Sequence, residues 1–220
     1  MKINWLAALL LAFGFINLAH GKEFVVSYDG FYDRLKVIEK GEFEFARVNF
    51  YVVDTATLAP CAIASGKIMT EKMEAPLAYT EQAQLLLPYD KKLDKDKAVV
   101  VLEPKNPQHS CQLKFQIEAE HFDSSHLTSA SLFQLHTEFD ELLSDLSGFF
   151  VSKLMSFLLP EQKGVLIEFS QPVSFSNKQI KCEDTVCKFA IDSAWQDSTM
   201  KLLSSNDRAE IVTVKPWIEK

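Results

Sequence analysis

The densest group of reactive side chains is Tyr28-Asp-Gly-Phe-Tyr-Asp-Arg-Leu-Lys36. Two tyrosines, two aspartates, an arginine and a lysine surround one glycine there. Such a set can recognise a carboxylate, a sugar or a peptide backbone. Guanidinium and ammonium groups donate charge-assisted bonds, and phenols add amphipathic faces. Tyr28, Tyr32, Asp33, Arg34 and Lys36 are the candidate binding residues on that ground. The same residues can instead build a hydrogen-bonded corner, since exposed ion pairs contribute little by themselves.

Two further clusters point to bland roles. Glu120-His121-Phe-Asp123-Ser-Ser-His126 gathers four metal-ligating types. Its histidines stand five apart, whereas a helical metal pair wants four, so a solvated loop with a helix cap is expected. Asp90, Asp94 and Asp96 alternate with lysines and lack the glycine and closing glutamate of a calcium loop. The sequence has no Gly-x-Ser-x-Gly elbow, P-loop or Gly-x-Gly-x-x-Gly stretch, and only 7 glycines from which to build phosphate cradles. No catalytic residue, metal site or cofactor is assigned. Paired carboxylates of a glycoside hydrolase are defined by distance and leave no spacing signature.

Cys61, Cys111, Cys182 and Cys187 form an even set, which in an exported chain reads as disulfides. Three pairings are open to four cysteines. Residues 179–191 read as a hairpin turning at Glu183-Asp184. That fold sets Cys182 opposite Cys187 and Ile180 opposite Phe189, which leaves Cys61 with Cys111. Neither cysteine pair has the Cys-x-x-Cys spacing of a thiol oxidoreductase.

Export itself is read from residues 1–21. Lys2 gives a positive start, Trp5 to Ile16 is an apolar run, and Ala19-His-Gly21 places small residues for cleavage before Lys22. The run is shorter than the roughly 20 residues a stable span needs. No cysteine sits at the cleavage point, so a lipoprotein is not expected. With formal net charge −7, the chain suits neither nucleic acid nor anionic membrane as a partner.

The elements that would position these residues fall into an α+β order. Residues 24–119 are strand-rich, in the manner of an antiparallel sandwich or meander. Residues 111–119 alternate apolar and polar, which predicts one face in the core and one in water. Residues 98–102 are continuously apolar, as in a strand buried on both faces. Residues 43–53 are strand-like, with an apolar phase that shifts near Ala46 and suggests a bulge or two short strands. A short helix is expected from Asp29, ending at Lys40-Gly41. Leucines and phenylalanines recur at helical spacing over residues 128–159, with Gly148 as a bend and Pro160 as a stop. The apolar residues 149–159 fit a core helix better than a membrane-surface one, since Lys153 is their only cation. Strands return after it: an alternating run at residues 165–175, the hairpin, and a last one near 210–217. The mature chain divides as a β-rich unit (22–124) and a helix-plus-antiparallel-β unit (125–220), either separate or continuous.

Several stretches also resemble a known family. They are the leader, Tyr28 to Lys36, Ala46-Arg-Val-Asn-Phe-Tyr-Val, and Leu87-Pro-Tyr-Asp-Lys-Lys-Leu-Asp-Lys-Asp-Lys-Ala-Val-Val. Together they are similar to a small family of exported gammaproteobacterial proteins defined only as domain of unknown function 2987. The resemblance implies a Gram-negative periplasm, and it transfers no functional residue. The reading is therefore a periplasmic, non-enzymatic binding or envelope-associated protein. Its partner would be another envelope protein or a peptide or sugar ligand, with no membrane span after cleavage. The alternative is a hydrolase of an envelope polymer acting through dispersed carboxylates.

Overall fold

The computed structural model describes residues 23–106, 108, 110–154, 161–198, 200–202 and 209–219, and only the backbone of 148–154. The leader expected at residues 1–21 lies outside the described residues, as do residues 155–160 of the apolar stretch.

The fold is α+β, and every strand pair among the described residues is antiparallel. One sheet holds β1 (Phe24–Ser27), β3 (Ile63–Met69), β4 (Glu74–Pro76) and β5 (Val99–Pro104), in the order β1-β5-β3-β4. A ribbon pairs β2 (Ala46–Asp54) with β6 (Cys111–Ala119). A second sheet holds β7 (Glu161–Phe169), β8 (Ile180–Glu183), β9 (Val186–Ala190) and β10 (Ile211–Glu219), in the order β10-β7-β9-β8. The helices are α1 (Asp29–Lys40), the single turn α2 (Lys91–Lys95) and the long α3 (Ser129–Leu154).

Local chemistry explains most of these elements. In α1, Phe31 is buried, and at its end the Gly41 N–H donates to Val37 C=O at 2.9 Å. Asp90 starts α2 by accepting from Lys92 N–H at 2.7 Å and Leu93 N–H at 3.3 Å, so this charged stretch carries a helical turn. The apolar run of β5 fits its place between β1 and β3, with Val100, Val101 and Leu102 all buried. Where β7 passes β9, a Cβ on Gly164 would lie 1.9 Å from Phe189 O, and the backbone there has φ +155.

Two apolar cores result among the described residues. Leu132, Leu135, Phe139 and Leu142 form one face of α3 and are fully buried against Val165, Ile167, Phe169 and Phe189 of the second sheet. Tyr28, Phe31, Phe50, Val52, Ile68 and Leu102 lead the other core. Strand β2 serves both, with Ala46 in the first and Val48 in the second. Ile38 and Leu146 pack against both.

Two local expectations are corrected. The β2–β6 register runs from Ala46↔Ala119 to Asp54↔Cys111 without a shift, so no bulge explains the apolar phase change. The strand begins at Ala46, with Phe43 in irregular backbone and residues 44–45 in a bend ahead of it. The two faces of β6 are also not cleanly split. Phe115 is 40% exposed, under the Arg34 guanidinium 4.0 Å from its ring, while Glu118 is only 6% exposed. The cysteines pair Cys61–Cys111 and Cys182–Cys187, the second as facing residues of the β8–β9 hairpin.

Candidate functional site

The sequence-flagged residues assemble one wall of a groove without lining it. Tyr28 is fully buried, its hydroxyl donates to Pro88 C=O, and it accepts from the Asp90 N–H at 3.1 Å. Burial holds that phenol above its ordinary range. Tyr32 stacks on Tyr89 with ring centres 5.1 Å apart, and their hydroxyls lie 3.4 Å from each other. The hydrogen bond to Tyr89, then burial, pushes the Tyr32 hydroxyl up to about 12. Arg34 donates to Gly30 C=O at 2.7 Å besides covering Phe115. Lys36 Nζ sits 5.9 Å from the Tyr32 ring, and Asp33 is exposed. The tyrosines thus fasten residues 88–90 to α1, and Arg34 ties α1 to β6.

The groove fastened in this way has a volume of about 410 Å³. It is lined by Leu35 and Ile38 of α1, residues 47–50 of β2 and residues 84–88, with Glu120 close by the start of β2. Its lining is mostly apolar, with Arg47 and Glu120 as its charged members. Arg47 bends back to donate to Ala46 C=O at 2.8 Å and Phe43 C=O at 3.1 Å.

At the start of β2 a carboxylate takes the place of a neighbouring strand. Glu138 of α3 accepts from the N–H groups of Glu44 at 3.1 Å and of Phe45 and Ala46 at 2.9 Å. Gln134 Nε2 adds a bond at 3.0 Å. Among the described residues the strand edge between Glu138 and residues 83–85 has no neighbour, and Val48 lies in that window. Sequence reasoning missed this feature. It is made of backbone groups, and its boundary comes from a residue about ninety positions downstream.

Several carboxylates elsewhere are engaged. Glu118 accepts from Asn49 Nδ2 at 2.9 Å, Gln116 Nε2 at 2.8 Å and the Tyr51 hydroxyl. Burial first, and that carboxylate second, hold the Tyr51 hydroxyl well above the phenol range. A second cavity is bordered by Glu23, Glu74 and Glu103. There Lys67 pairs with Glu74 at 3.6 Å and Ser65 Oγ donates to Glu103 at 3.1 Å, both toward solvent. Asp123 caps the 3-10 turn Ser124–His126, accepting from Ser125 N–H at 2.8 Å and lying 3.1 Å from His126 Nδ1.

These features define a disulfide-braced α+β protein with an apolar groove against an open strand edge. The chain belongs to a family described as protein of unknown function (DUF2987), whose model matches residues 20–169. The match ends with β7, so β8 to β10 and the Cys182–Cys187 bridge lie beyond it. Comparison with curated proteins finds no match, and neither does comparison with solved structures.

Proposed function

We propose that this protein is exported to the periplasm and acts there as a non-enzymatic, envelope-associated binding protein. The groove beside β2 carries the reading. It offers apolar side chains and backbone groups, the means of holding a ligand. Its two charged side chains, Arg47 and Glu120, make no acid–base pair of carboxylates. Export is supported by the leader pattern at residues 1–21 and by the two cysteine pairs, which persist in oxidising compartments. Among the described residues no helix is long and apolar enough to cross a membrane.

The test is fractionation of the tagged protein in a Gram-negative host, followed by intact-mass measurement. The expected product is periplasmic, starts at Lys22, and gains the mass of four hydrogens on reduction. An uncleaved chain with four free thiols in the cytoplasm would sink the proposal.

A further inference from the structure

We propose that the groove takes an extended, uncharged apolar peptide segment whose backbone pairs with Val48, adding one strand to the β2–β6 ribbon. The inference rests on the binding-protein reading and names its ligand class.

In an antiparallel ladder, backbone groups point alternately to the two edges of a strand. Thr55 N–H donates to Ser110 C=O at 2.8 Å, and Glu120 N–H donates to Phe45 C=O at 2.9 Å. Odd-numbered residues of β2 therefore bond β6, and even-numbered ones face the opposite edge. Along that edge each other position finds at least one partner. Asp54 N–H donates to Ala59 C=O at 2.8 Å, and Val52 N–H to Ala83 C=O at 3.0 Å. Phe50 C=O accepts from Leu85 N–H at 2.8 Å, and Ala46 N–H reaches Glu138. Val48 stands in the gap. Among the described residues its N–H and C=O have no partner, although the residue is only 4% exposed. The gap exists because the chain leaves the ribbon after Leu85, and Leu86 N–H turns to Ala78 C=O at 2.9 Å.

A donor and an acceptor on one strand residue match one residue of another extended chain, which returns both bonds. Unpaired groups of this kind are rare in a buried strand, because each lost bond is costly. The surroundings then select the side chains. Leu35, Ile38, Leu85 and Leu87 present apolar surface beside Val48, and Leu86 stands at the rim with 51% exposure. Arg47 and Glu120 cancel in charge, while the whole chain carries −7, so an acidic ligand is repelled and a neutral one is not. The 410 Å³ of the groove falls within the roughly 300–1,000 Å³ of ligand pockets, room for a few residues.

The experiment is an NMR titration of the isotope-labelled mature protein with acetyl-Val-Thr-Val-Thr-Val-amide. Expected are saturable shifts at Val48, Asn49 and Leu85 to Leu87, with slower exchange of the Val48 amide. Methylating the peptide nitrogens one at a time should weaken binding about tenfold at the pairing residue, the loss of one good hydrogen bond. Leu86→Asp, at an exposed position, should weaken it by a similar factor and leave the fold intact. The proposal is overturned if the shifts fall elsewhere, if no methylated peptide binds more weakly, or if no saturation occurs. A Val48 amide already protected without peptide also overturns it, because another part of the chain or a second copy would then fill the edge. Saturable shifts at the groove with an N-acetylglucosamine oligomer but none with peptide would remove the peptide and spare the binding-protein reading.

Discussion

Removing the Glu138 carboxylate should destabilise the protein more than most single changes. The side chain is 7% exposed and bonds three main-chain N–H groups. Two of these belong to Phe45 and Ala46, which are buried, so water cannot replace the lost acceptor well. Each unpaired buried donor costs about 1–3 kcal/mol, and the carboxylate's own desolvation is recovered when it is deleted. The net expectation for Glu138→Ala is about 3 kcal/mol. Glu138→Gln keeps one acceptor for Phe45 and Ala46 but turns an NH2 toward Glu44 N–H and Gln134 Nε2, and should cost about 1–2 kcal/mol. Urea unfolding of the oxidised protein, extrapolated to water, measures both. A loss below about 1 kcal/mol for Ala, or a larger loss for Gln than for Ala, would refute the reasoning.

Three further outcomes are expected. Replacing Cys61 and Cys111 by serine should cost about 4 kcal/mol and replacing Cys182 and Cys187 about 2, since the first bridge spans 50 residues and the second 5; equal losses in urea unfolding would contradict this chain-entropy ranking. Burial holds the His136 imidazole below its usual range, against a smaller opposing effect of Asp140. The unfolded chain therefore takes up that proton first, near pH ~6.5, so stability is full above this pH and falls as the solution is acidified toward the folded value. His136→Asn should flatten the fall, and an unchanged slope of urea midpoint against pH would refute it. We also propose that residues 22–220 unfold as one cooperative unit, because Ala46 and Val48 of one strand enter different cores. Tryptophan fluorescence and tyrosine circular dichroism should share one midpoint, and two separated midpoints would contradict it.

Much of the fold could be read from local pattern. Alternation marked residues 111–119, and helical spacing marked α3 from Ser129. The hairpin fixed Cys182 opposite Cys187 because its partners are five residues apart. Long-range packing hid the rest. The apolar phase change at Ala46 reads as a bulge until Glu138, on another element, is seen to end the strand. Phe115 and Glu118 sit against their alternation because Arg34 covers one, while Asn49, Tyr51 and Gln116 satisfy the other. Tyr28 and Tyr32 drew notice by composition, yet composition does not distinguish a ligand contact from the fastening of residues 88–90. The groove was least legible, since Val48 looks like any strand valine and its distinction lies in what its N–H and C=O fail to meet among the described residues.

Amide hydrogen exchange of the ligand-free protein tests the central claim most directly. An open edge at Val48 predicts that its amide exchanges much faster than those of Asn49, which bonds β6, and Val52, which donates to Ala83 C=O at 3.0 Å. Protection of Val48 equal to that of these neighbours would contradict it, because the edge would then already be filled.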